Sequence, residues 1–267
     1  MTFITPKTWA VGEVLSAVDM NVYVRDNSNA LNFGFRYVDR RIFATPGSFT
    51  FSKADPMGDG SVDGSVIRAY RVICVGGGGA GGGGKATGAG QCSPAAGGSS
   101  GSYAETFALS SAFLATEPVV VGAPGSPAAG ATGGNGTGSV FGIALIVSAP
   151  GGLGGEVRAA VLSPPSTVQS TTFPFADPIG QITSSGDMGH GALCILVGGT
   201  GNSHGGNGGS GRYGSGGSGR NSTSGPTFSD ARGFGGGGGG RSVAEENSSA
   251  AVGGNATGGL VIVELYA

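Results

Sequence analysis

The chain has 267 residues, of which 59 are glycine and 13 proline, with charged residues at only 11% and a formal net charge of −2. That balance leaves no basic footprint for nucleic acid, and no apolar stretch approaches the roughly 20 residues of a membrane-spanning helix. A mean hydropathy of +0.12 also separates it from disordered glycine-rich chains, which are charged and poor in apolar residues.

Residues 1–43 read as a separate segment. Ser16 and Asp19 have the spacing of a capping box, and Met20, Val24, Leu31 and Phe35 then fall on one helical face. Gly34 is placed to end the helix. One short helix cannot bury such a stripe alone, so it must pack on the rest of the chain, on sister copies or on a partner. The start of the sequence has neither a basic run nor an apolar signal core, so folding in a cytoplasm is expected.

Residues 44–267 are expected to form the body. TPGSFTFS is a turn followed by alternation, DPMGDGSVDGS is a polar loop, and SVIRAYRVICV alternates before becoming wholly apolar. From Gly76 onward, glycine runs lead into or out of PVVVG, GSVFGIALIV, HGALCILVGG and GGLVIVELY. This suggests that glycine is the packed material of the body, because backbones without Cβ can approach closely. Gly205, Gly208, Gly211, Gly214 and Gly217 recur at every third residue, as do Gly130, Gly133 and Gly136. Period three is the repeat of an extended left-handed helix without internal hydrogen bonds. A glycine edge would let such helices bond to one another through their amides; at this glycine density the spacing also arises by chance. The expected fold is therefore mainly β and irregular: a short N-terminal helix, then strands and a glycine-rich body with polyglycine II-type helix packing.

Two stretches resemble known proteins. TWAVGEVLSAVDMNVYVRDNSNAL, residues 8–31, resembles the N-terminal segment of bacteriophage tail proteins. Trp9, Gly12, Glu13, Leu15, Asp19, Asn21, Tyr23, Val24, Arg25, Asp26, Asn27 and Leu31 carry the match. The remainder resembles the glycine-rich domain of phage tail fibres and adhesins, through RVICVGGGGAGGGG, SGSYAETFALSS, VVVGAPGSPAAG and the closing GGNATGGLVIVELY. The 156–200 region is longer and less glycine-rich than that pattern. The resemblance implies a non-enzymatic virion component at the tail tip or in a fibre. Its implied partners are other copies in a homotrimer, other tail proteins, and a host-surface glycan or envelope component. Trp9, Leu15, Met20, Tyr23, Val24, Leu31 and Phe35 would then serve assembly. A cellular glycine-rich matrix protein and a tail-associated glycan hydrolase are the rival readings.

Chemistry is sparse. Gly79 to Lys85 fits a phosphate-loop pattern after an apolar strand, but Ala86 stands where a magnesium-holding hydroxyl is needed and no helix follows. His190 and His204 lack clustered ligands, and Cys74, Cys92 and Cys194 fit no metal spacing; no cofactor or metal is expected. Cys74 and Cys194 read as small buried hydrophobes. Asp177 with Asp187, or Glu245 with Glu246, are the only carboxylate pairs to consider, and Glu105 is expected to face outward from a strand. For recognition, Tyr213, Phe228 and Phe234, with Phe173 and Phe175, offer aromatic faces suited to sugars. The same rings could equally pin loops onto the body. Tyr213 is the preferred contact.

Overall fold

The computed structural model describes residues 35–143, 146–162, 166–168, 176–197, 200–221, 230–244 and 248–267. These are strands and irregular segments, with single 3-10 turns at Gly64–Val66 and Ser110–Ala112 as the described helical elements. The expected N-terminal helix, with Trp9, Leu15, Met20, Tyr23, Val24 and Leu31, lies outside the described residues. Among the described residues, no helix is long and apolar enough to cross a membrane.

Two antiparallel sheets enclose the side-chain core. The five-stranded sheet runs Tyr37–Phe43, Leu260–Tyr266, Ala69–Val75, Tyr103–Leu109, Ile182–Ser184. The second sheet orders Gly47–Ser52, Thr116–Val121, Ser139–Phe141 and Val147–Ala149. Ala69–Val75 and Leu260–Tyr266 are covered on both faces, which is why they read as nearly unbroken apolar runs. Register sets Val261 opposite Cys74 and Val263 opposite Val72. Tyr70, Val72, Cys74, Val261, Val263 and Leu265 meet Phe51, Val119, Phe141 and Val147 in the core. Phe113 and Phe51 pack edge-on to Tyr70 at 5.2 and 5.4 Å between ring centroids. Fully buried Glu117 ties two loops to this core, accepting the amides of Leu114 and Ile143 at 2.8 and 2.9 Å.

One boundary moves. Tyr37–Phe43, which the sequence places with the N-terminal segment, is an edge strand paired with Leu260–Tyr266 from end to end. Arg36 and Ala267 also exchange main-chain hydrogen bonds at 3.2 and 3.0 Å. Residues 36–43 therefore belong to the body rather than to the N-terminal segment.

Beyond Val75 the chain leaves the sheet and changes its packing. The amides of Gly76, Gly79 and Gly82 donate to Ser102, Ser99 and Ala96. Those of Gly77, Ala80 and Gly83 donate to Thr137, Gly134 and Ala131, while Gly78 and Gly81 donate to Thr257 and Gly254. Successive donors thus turn to three different neighbours, and the direction repeats at every third residue. Segment 96–102 behaves alike: Ala96, Ser99 and Ser102 bond to Glu156, Leu153 and Pro150, whereas Gly97 and Ser100 bond to His190 and Asp187. A Cβ built on Gly77, Gly79 or Gly81 would come within 3.0 Å of a carbonyl of Ala123, Leu153 or Gly239. Main chain lies against main chain here, and each buried amide finds its acceptor in the next segment.

The two period-three runs fare differently. Gly133 and Gly136 abut Ala80 and Gly77, in step with the hydrogen bonds above, while Gly130 turns the chain with φ of +63°. The longer run does not form one edge. It doubles back: the Gly208 amide donates to Gly217 at 2.8 Å, and Gly211 bridges Gly214. Gly205, Gly208 and Gly217 are buried, whereas Gly211 and Gly214 are only half-buried and sit at the reversal. The bulky pair Arg212 and Tyr213, which main-chain packing cannot admit, lies in that reversal and takes the chain back to the sheet.

Candidate functional site

The face of the five-stranded sheet turned away from the side-chain core carries the polar chemistry. Arg71 projects from Ala69–Val75 between Glu105 and Glu264 on the flanking strands. Its Nε lies 2.7 Å from Glu105 Oε1 and its Nη1 lies 3.2 Å from Glu264 Oε2. The guanidinium holds the Glu105 carboxyl below the usual carboxylate range. Glu105 also accepts a hydrogen bond from the Tyr103 hydroxyl, and burial followed by that carboxylate pushes the Tyr103 phenol up. Glu105 is thus buried and paired, not solvated as an outward strand residue would be. A lone charge in each of two otherwise apolar strands, Arg71 and Glu264, was the available signal.

Tyr103 continues the site outward. Tyr213 stacks on it with centroids 6.3 Å apart and planes 17° apart, and the Arg212 guanidinium lies 4.4 Å from the Tyr103 centroid. Strand Tyr213–Ser215 pairs with Arg232–Phe234, setting Tyr213 opposite Phe234. Phe234 packs onto Ile73, Val75, Tyr103, Leu260 and Ile262. It therefore pins its loop to the body rather than offering a contact face. Tyr213 remains 39% exposed, so its ring is both a loop anchor and a surface. Phe173, Phe175 and Phe228 lie outside the described residues.

Beside Arg212 the surface is concave. One cleft of about 650 Å³ is lined by Asp187, Met188, His190 and Ser210 together with glycines. A second, of about 290 Å³, adds Tyr103, Ser184, Ser185 and Arg212 and shares Asp187 and Ser210 with the first. Asp177 lines neither cleft, and Glu245 and Glu246 lie outside the described residues.

The phosphate-loop pattern has no amide to offer. Each from Gly79 to Gly84 donates to a carbonyl elsewhere in the body, and that of Lys85 donates to Ser93 Oγ at 2.9 Å. Cys74, Cys92 and Cys194 are free and buried; burial pushes the thiols of Cys74 and Cys194 up. Among the described residues, no group of three or more His, Cys, Asp or Glu could hold a metal ion. Phe35 lies edge-on to Phe107 at 5.1 Å, half exposed where the chain enters the body. No protein-family model matches this sequence, and no curated protein is found similar to it.

Proposed function

We propose that the glycine segments run as packed polyglycine II-type helices and that the chain is a structural component of a bacteriophage tail, at the tail tip or in a fibre. The turning of the Gly76–Gly83 amides through three neighbours, repeated at every third residue, carries this reading. Such packing makes a stiff body from main chain alone, so surface loops are free to differ without disturbing an interior of side chains. A rigid carrier with loops on its surface suits attachment to a host.

In this reading residues 1–34 anchor the body to other tail proteins and to sister copies in a homotrimer, with Trp9, Leu15, Met20, Tyr23, Val24 and Leu31 as the anchoring side chains. The protein binds and supports rather than catalyses, and needs no cofactor. It is made in the host cytoplasm and works in the virion, where its loops meet a host-surface glycan or envelope component. The test is particle composition. A chain lacking residues 1–34 should remain soluble and keep its melting midpoint but disappear from purified particles. An unchanged virion content would overturn the anchoring role, and absence of the full-length chain from particles would overturn the tail reading.

A further inference from the structure

We propose that the groove between the Ser184–Gly191 and Gly208–Arg212 segments binds a neutral polysaccharide, gripped through adjacent sugar hydroxyls by Asp187 and Arg212. The two clefts share Asp187 and Ser210 and so form one groove, of about 650 and 290 Å³ in its two parts, within the range of sites for small ligands. This deepens the host-attachment reading and rests on it only for the source of the polymer.

The walls are fixed by main-chain bonds. Gly97 and Ser100 donate to His190 and Asp187 at 3.0 and 2.9 Å, Gly209 donates to Gly98 at 2.9 Å, and His190 donates to Asn207 at 2.7 Å. The Asp187 amide is held as well, by Ser100 Oγ at 2.7 Å. A groove set before the ligand arrives avoids the ordering cost of a mobile loop.

The functional groups at its surface are unspent. Among the described residues, neither the Asp187 carboxylate nor the Arg212 guanidinium has a hydrogen-bonding partner; Arg212 lies over the Tyr103 ring and feels the Glu105 carboxylate behind it. One planar group accepts two hydrogen bonds and the other donates two. Neighbouring hydroxyls of a sugar both donate and accept, so they satisfy both. The two charges offset each other, and an anionic polymer would meet the Asp187 carboxylate. Half-exposed Met188 gives the C–H face of a sugar an apolar surface.

The experiment uses the purified full-length chain and maltohexaose, cellohexaose and mannohexaose, with polygalacturonate as the anionic comparison. Saturation-transfer NMR and calorimetry should detect at least one neutral oligomer and no preference for polygalacturonate. Asp187→Asn and Arg212→Met should each weaken binding at least tenfold with the melting midpoint unchanged. Binding of none of the neutral oligomers, a preference for polygalacturonate, or indifference to both substitutions would overturn the groove. A chain that binds the sugar but is missing from particles would instead overturn the tail reading and leave the groove standing.

Discussion

The carbonyl oxygen of Gly237 occupies the space that a Cβ on residue 208 would need, well inside 3.0 Å. At Gly211, in the same period-three run, the nearest atom to such a Cβ is 3.6 Å away. Alanine at 208 must force two backbones apart, a misfit of about 1–3 kcal/mol or more. Alanine at 211 fits, and by restricting the unfolded chain should change stability by less than about 1 kcal/mol in the favourable direction. Urea unfolding midpoints of the two variants check this. Equal loss at both positions would mean that the body is not packed main chain to main chain.

Exchange of amide hydrogens tests the same interior without mutation. Gly76–Gly84 lies outside the regular strands, yet its amides are bonded and buried. Protection there should match that of Val72 and Val263 in the sheet, because both require cooperative opening. Labelling within seconds would reduce the glycine tract to a tether.

The Arg71 ion pair predicts an acid limb in the stability curve. Glu105 titrates lower in the folded chain than its reference of 4.5, chiefly because Arg71 donates to it. Its contribution is therefore complete above that reference and is lost as pH falls through the folded value. Denaturant midpoints of the wild type should drop on acidification below about 4.5, and Glu105→Gln should flatten that limb. An identical slope in both proteins would remove Glu105 from the effect.

Glu117 offers a different test of a buried carboxylate, since its partners are amides rather than a cation. Glu117→Ala leaves the Leu114 and Ile143 amides without acceptors, and the loss should be about 2–4 kcal/mol. Glu117→Gln keeps one acceptor oxygen and should fall between the two. Unfolding free energies in guanidinium distinguish this order from a surface residue, where both changes would be nearly silent.

Strands Ala69–Val75 and Leu260–Tyr266 are legible in the sequence because burial on both faces makes them apolar throughout. The burial of the Gly76–Gly84 amides had one sequence signal, the scarcity of charge around them. The Tyr37–Phe43 strand was hidden: its register shifts between Tyr37 and Asp39, and the adjacent charges Asp39, Arg40 and Arg41 blur the alternation. Arg71 and Glu264 are 193 positions apart, so no local window contains the pair. The groove was equally out of reach. Segments 184–191 and 208–212 become neighbours through shared bonds to 97–100 and the bond from His190 to Asn207, and their separation along the chain says nothing of that. Regular spacing misled at Gly211, where a Cβ would meet nothing closer than 3.6 Å; Gly214 does lie against the Phe234 and Arg232 carbonyls, but across a strand pair rather than along one helical edge.

Leu260–Tyr266 is inserted between Tyr37–Phe43 and Ala69–Val75, so the latest of the described strands fills an interior place in the sheet. During synthesis, Ala69–Val75 must wait with one ladder edge unmet until residue 266 has left the ribosome. A nascent chain in that state exposes Val72 and Cys74 beside an open edge, the kind of surface that holdase chaperones recognise and that aggregates when crowded. Folding of this sheet is thereby deferred until residue 266 has been made, and a copy cut short before Leu260 cannot close it.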